Sequence, residues 1–129
     1  MSYSKHLNEY QKSAVHGASP LQLVVMLYDG AIRFLELAKA GIERKDVFVQ
    51  NTNFQKAQRI VTELMSCLDM ERGGDISQNL FALYSFCYNT LIEANLMDDA
   101  NKADQVLHVM RELRESWTEL ERRNRSGGE

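Results

Sequence analysis

From residue 20 onwards, apolar residues recur at intervals of three and four positions in four successive segments, which is typical of amphipathic helices. We predict helices over residues 20–44, 48–69, 76–96 and 102–123, joined by short polar links. The first of these shows the pattern most fully, with apolar side chains at Leu21, Val24, Val25, Tyr28, Ala31, Ile32, Leu35, Ala38 and Ile42. Helices of this length with short links pack side by side in alternating directions, so the predicted fold is all-α, an antiparallel four-helix bundle.

The residues that interrupt helices predict the boundaries of these segments. Pro20 is the only proline, and together with Ser19 as N-cap and Gln22 as capping-box partner it predicts the start of the first helix. The glycine pair at 73–74 is predicted to close the second helical segment, and Asp75 to cap the third helix.

The chain divides into an N-terminal arm or short helix over residues 1–18, the bundle over residues 19–123, and a flexible tail over residues 124–129. A length of 129 residues fits a single domain. One proline and seven glycines are too few for the frequent turns of a β-sandwich or barrel.

The charge balance and the distribution of apolar residues exclude several classes of function. With 15 lysines and arginines against 18 acidic residues the net charge is −3, which disfavours binding to nucleic acid. The most apolar run, residues 21–28, is broken by Gln22 and is too short for membrane insertion. Residues 1–6 lack the apolar core of a secretory signal. We expect Cys67 and Cys87 to be reduced, buried thiols of a cytoplasmic protein.

The usual chemistry of helical bundles is not predicted here. None of the three histidines follows a Glu at di-iron spacing, and cysteines and histidines do not cluster at zinc spacing. We therefore expect no catalytic residues, no metal and no cofactor. One enzymatic alternative stays open, which is phosphotransfer through His108, the only histidine within a predicted helix. A purely structural helical oligomer is a further alternative.

The third predicted helix carries more apolar residues than one core face requires. Phe81, Tyr88 and Ile92 follow one another at intervals of seven and four positions, beside the core-facing line. One interpretation is a wide buried arc, because a central helix buries much of its circumference. The other is an exposed groove that accepts the apolar face of a partner helix.

Two blocks near the start of the chain point to a known family. Residues 15–20 read Val-His-Gly-Ala-Ser-Pro, and residues 23–35 read Leu-Val-Val-Met-Leu-Tyr-Asp-Gly-Ala-Ile-Arg-Phe-Leu. Together with Gly-Gly-Asp-Ile at residues 73–76 and Trp117 near the end, they resemble the flagellin export chaperones, the FliS family. The similarity extends from about Tyr3 to Trp117 in the family's order and spacing.

The resemblance implies a chaperone of the bacterial cytosol that binds the disordered C-terminal region of flagellin. It would prevent premature polymerisation and deliver flagellin to the flagellar type III export apparatus. An export-gate component or a flagellar regulator as a further partner, and a monomeric or weakly dimeric state, are left open. The implied partner-binding residues are Leu7, Tyr10 and Val15 in the arm and Leu21, Val25, Tyr28 and Ile32 in the first helix, to which the stripe argument adds Phe81, Tyr88 and Ile92.

Overall fold

Four helices, α1 to α4, contain most of the residues that the computed structural model describes, which are residues 19–127. Their bounds are Pro20–Arg44 for α1, Val47–Ser66 for α2, Gly74–Met97 for α3 and Ala100–Gly127 for α4. Each helix packs against the two that adjoin it around a ring, in the order α1, α2, α3, α4 and back to α1. The described residues contain no strand, and the predicted all-α bundle is confirmed.

Ion pairs between the first and last helices fix their relative direction. The α1–α4 ion pairs join Lys39 with Asp104, Glu36 with Arg111, and Asp29 with Arg114. Residue numbers rise along α4 as they fall along α1, so the two helices run antiparallel.

The start of α1 agrees with the prediction in detail. Ser19 has extended backbone geometry, and its hydroxyl accepts the backbone N–H of Gln22 at 3.1 Å. In return, the Gln22 side-chain oxygen accepts the backbone N–H of Ser19 at 2.7 Å. This reciprocal capping box satisfies two donors that would otherwise have no partner within the helix, and Pro20 occupies the first helical position.

A close backbone approach shapes the link between α1 and α2. Lys45 adopts the left-handed conformation, with φ of 56°, and closes α1. A Cβ atom on Gly41 would lie 2.6 Å from the backbone nitrogen of Gln50 and 2.8 Å from its Cα, so only glycine fits where the two helices converge. Asp46 then caps α2 by accepting the backbone N–H of Val49 at 3.1 Å.

The link between α2 and α3 differs from the prediction. α2 ends at Ser66 rather than near residue 69, and the glycine pair stands at the start of α3 instead of at the end of α2. Gly73 is the N-cap and Gly74 has a φ of +53°, whereas Asp75, predicted as the cap, already lies in the first turn. The Ser77 hydroxyl donates to the Asp69 carbonyl at 2.9 Å and ties the link to α3.

The last helix is longer than predicted. α4 begins at Ala100, two residues before the predicted start, and continues to Gly127. It therefore includes residues 124–127 of the segment predicted as a tail.

The core contains the centres of all four predicted apolar stripes. Leu35 of α1, Phe54 of α2, Leu91 of α3 and Met110 of α4 have no exposed surface. The largest fully buried side chains are Tyr28, Tyr84, Phe54, Leu35, Leu64, Leu91, Leu107, Met110, Val61, Val106 and Cys87. Cys67, predicted to be buried as well, is exposed, because α2 ends one residue before it. The buried residues are closely packed and fill the interior. The surface of the candidate site is therefore formed by the outer edges of α1 and α3.

Candidate partner-binding surface

An exposed apolar stripe runs along α3. Phe81 is 43% exposed, Ile92 is 37% exposed, and Tyr88 between them is partly buried against the core. Leu96, one turn after Ile92, is 80% exposed and extends the line to the end of the helix. We call these four residues the α3 stripe. Helical geometry places them on one edge of α3, because successive members are seven, four and four positions apart.

The α3 stripe borders an open depression between α2 and α3. The depression has a volume of about 360 Å³ and is lined by Gln55, Gln58, Arg59 and Thr62 of α2 and by Tyr88 of α3. The α2 wall therefore offers amides, a hydroxyl and a guanidinium group, while the α3 wall offers the aromatic side chain of Tyr88. We call the depression together with the α3 stripe the α2–α3 groove.

The predicted residues of α1 lie on a different side of the bundle. Leu21, Val25 and Ile32 are half-buried. Asp29 follows Val25 by one turn and Glu36 follows Ile32 by one turn, and both carboxylates pair with arginines of α4. The three apolar residues therefore lie along the edge where α1 meets α4. The α1–α4 and α2–α3 contacts are opposite sides of the ring. This edge and the α2–α3 groove are therefore on opposite flanks, and the structure does not bring the two predicted sets together.

Tyr28, also predicted to line the groove, is completely buried in the core. Its hydroxyl is hydrogen-bonded to the hydroxyl of Tyr84, and it accepts the indole N–H of Trp117 at 3.0 Å. Burial is the main reason that the pKa of both tyrosines lies above the ordinary value, and for Tyr28 the neighbouring Tyr84 adds to it. Tyr28 thus joins three helices from within and has no surface that a partner could contact in this conformation.

The predicted arm residues Leu7, Tyr10 and Val15 lie outside the described part of the chain. Their role as partner contacts stays a prediction. The described chain begins at Ser19, at the end of the bundle opposite the α1–α2 link.

Sequence reasoning missed the most exposed apolar residues of the bundle. Phe48 at the start of α2 and Leu96 at the end of α3 are 78% and 80% exposed. The two helix ends are adjacent, because the Gln50 side-chain amide donates to the Asp98 carboxylate at 2.7 Å and to the Asn95 carbonyl at 3.1 Å. The signal in the sequence is an apolar residue near a helix end that falls outside the core-facing positions of its helix.

Residues 19–127 offer few groups for other chemistry. These residues contain no group of three or more His, Cys, Asp and Glu side chains that could hold a metal ion, and no helix among them is long and apolar enough to cross a membrane. His108 is exposed on α4, with its Nε2 3.3 Å from the Glu112 carboxylate. Phosphotransfer through His108 therefore stays an alternative that an acid-labile labelling assay with a phosphorylated receiver domain would test.

An all-helical bundle with a long apolar and polar groove on one flank belongs to the class of protein-binding helical modules. Comparison with known proteins assigns the family. The sequence model of the family described as "Flagellar protein FliS" matches residues 3–124, and the chain belongs to this family. The resemblance found in the sequence is thereby confirmed.

Curated relatives align with this chain over most of their own length. The flagellar secretion chaperone FliS of Vibrio cholerae is 37% identical over 118 residues, covering 88% of this chain and 87% of the relative. The flagellar secretion chaperone FliS of Bacillus subtilis is 32% identical over 130 aligned positions, covering 98% and 96%. The protein of the same name from Salmonella typhimurium is 37% identical over 110 residues, covering 84% and 82%. The chain is thus a member of a family of flagellar secretion chaperones.

Proposed function

We propose that this chain binds the disordered C-terminal region of flagellin in the bacterial cytosol. Binding keeps flagellin from polymerising and delivers it to the flagellar type III export apparatus. Family membership supports the general role, and the exposed α3 stripe is the observation that carries the mode of binding.

The α3 stripe has the geometry needed to bind a helix. Phe81 and Leu96 are fifteen residues apart on one helix, which corresponds to about 22 Å at a rise of 1.5 Å per residue. A partner helix of about four turns could lie along this length and bury its own apolar face against it. Full burial of an exposed large apolar side chain contributes roughly 1.5–3 kcal/mol. Each half-exposed member of the stripe therefore contributes about 1 kcal/mol to the free energy of binding when the partner helix covers it.

The α1 edge supplies the second contact in this proposal. Leu21, Val25 and Ile32 are partly accessible beside the α1–α4 ion pairs. The arm residues Leu7, Tyr10 and Val15 are included because of the family resemblance, so Tyr10→Ala is also expected to weaken binding. An export-gate component or a flagellar regulator would be a further partner.

Isothermal titration calorimetry with the C-terminal segment of flagellin from the same bacterium tests this function. We expect a saturable complex with a negative heat-capacity change, since apolar surface is buried. Flagellin polymerisation, followed by light scattering, should slow when the chain is present. If neither heat nor co-elution is observed with this segment, the proposed function is wrong.

A matched pair of variants tests the location of the contact. Ile92→Asp places a charge in the α3 stripe, whereas Leu37→Asp makes the same kind of change on the outer face of α1, where Leu37 has a similar exposure of 40%. We expect binding to weaken only for Ile92→Asp, with unchanged helicity by circular dichroism in both variants. Equal effects of the two substitutions would place the contact elsewhere on the bundle.

A further inference from the structure

Among the residues that the structure describes, one positive charge in the α2–α3 groove has no carboxylate partner. Arg59 is half-buried and lines the depression beside Tyr88. Within residues 19–127, no carboxylate lies within ion-pairing distance of its guanidinium group, including Glu63, which is one turn further along α2. By contrast, Arg111 and Arg114 on the opposite flank are both paired with α1.

The position of Arg59 within the groove determines what it can contact. Tyr88, which faces it across the depression, is seven residues after Phe81 and eight before Leu96. Arg59 therefore lies near the middle of the length over which a partner helix would dock. A helix with its apolar face on the α3 stripe turns one flank towards α2, so a side chain in its central turns comes within reach of Arg59.

The other side chains on the α2 wall do not compete for a charged group. Gln55, Gln58 and Thr62 are neutral and both donate and accept hydrogen bonds. A guanidinium group in a partly desolvated groove favours a carboxylate, which accepts its paired donors in a fork geometry. A lysine on the partner at that position would be disfavoured by like-charge repulsion.

We propose that Arg59 is a specificity-determining residue that pairs with a carboxylate on the flank of the helix docked in the α2–α3 groove. The occupant is the flagellin C-terminal segment, so this inference rests on the proposed function. It adds a sequence requirement for the docked helix, namely apolar residues at three- and four-residue spacing with an Asp or Glu in the central turns on the side facing α2.

Calorimetric titration of the flagellin segment into charge variants of this chain tests the pairing. Arg59→Gln removes the charge but keeps a polar side chain, and Arg59→Lys keeps the charge but loses the fork. Arg33→Gln is the matched control, because Arg33 is exposed on α1 and has no ion pair within residues 19–127. We expect Arg59→Gln to raise Kd about 5- to 10-fold at about 50 mM salt, Arg59→Lys to have a smaller effect, and Arg33→Gln to have none.

Variants of the partner identify the carboxylate. Each Asp or Glu of the segment is replaced by its amide. One such replacement should raise Kd as much as Arg59→Gln does, and combining it with Arg59→Gln should raise Kd no further. The corresponding replacement by Lys should be rescued by Arg59→Glu. Screening at about 500 mM salt should reduce the effect of Arg59→Gln.

The outcomes separate this inference from the proposed function. If the unaltered chain does not bind the flagellin segment, both the function and the inference are wrong. If it binds and Arg59→Gln behaves like Arg33→Gln, or if the amide replacements add to Arg59→Gln without exception, only the inference is overturned. Circular dichroism of each variant verifies that the bundle is intact.

Discussion

The buried hydroxyl network at Tyr28 allows a quantitative test of how the bundle is held together. Tyr28 is in the middle of the network, since its hydroxyl is bonded to Tyr84 and accepts the indole N–H of Trp117. Tyr28→Phe removes the central group, Tyr84→Phe removes one end, and the double variant removes both hydroxyls. Each substitution keeps the aromatic ring, so the packing volume changes little.

The expected magnitudes follow from which groups lose their partners. Tyr28→Phe leaves the Tyr84 hydroxyl without its partner in a nearly fully buried position and also takes the acceptor from Trp117, so we expect a loss of about 2–3 kcal/mol. Tyr84→Phe leaves Tyr28 with its bond from Trp117 and should cost about 1 kcal/mol. The double variant no longer contains an unpaired Tyr84 hydroxyl. Its loss should therefore fall short of the sum of the single losses by about 1–2 kcal/mol.

Urea unfolding measures these values directly. Far-UV circular dichroism reports the helices, and fluorescence reports Trp117, which is the only tryptophan. The slope with denaturant should be unchanged, because the buried area is the same in all variants. Losses that add to within about 0.5 kcal/mol would refute the coupling, as would a larger loss for Tyr84→Phe than for Tyr28→Phe.

Three further predictions concern the cysteines, the α1–α2 approach and the first cap. Burial raises the pKa of the Cys87 thiol to about 12, and a smaller thiolate fraction means slower alkylation. Cys67, which is exposed, should therefore label first, and Cys87 should label only in denaturant. Equal labelling rates in the folded protein would contradict this. Gly41→Ala should lower the free energy of unfolding in urea by about 1–3 kcal/mol, because the alanine Cβ would overlap the backbone of Gln50. If only the loss of glycine's conformational entropy mattered, the substitution would instead stabilise the protein by up to about 1 kcal/mol. Ser19→Ala should lower the free energy of unfolding by about 1 kcal/mol, and Ser19→Asp, which keeps a capping oxygen, should restore most of it.

Local signals in the sequence predict the fold well where a side chain acts on its own helix. The capping box at Ser19 and Gln22 depends only on neighbouring residues and appears as expected. The end of α2 is less predictable, because Leu68 continues the apolar spacing although the helix ends at Ser66. Leu68 is packed partly against the core from the link itself. An apolar residue at helical spacing is therefore no proof that the helix includes it.

The candidate surface could be predicted only in part, because exposure depends on how the helices are arranged around the ring. Tyr28 and Tyr88 are both aromatic residues in apolar stripes, yet the first is buried at the centre and the second borders a groove. Spacing along one helix gives the angle between side chains but does not say which helix lies beside each edge. The separation of Ile32 and Ile92 onto opposite flanks is accordingly a property of the assembled bundle.

This separation constrains the proposed partner. Packed helix axes are about 8–10 Å apart, so a four-helix bundle with its side chains is roughly 20–25 Å across. A chain passing from the α2–α3 groove to the α1–α4 edge follows about half the circumference, or roughly 35 Å, which needs at least about 10 extended residues. A rigid folded domain would cover one flank only. A segment of about 30 to 40 residues that is disordered before binding can dock a helix in the α2–α3 groove, cross the bundle and still reach Leu21, Val25 and Ile32.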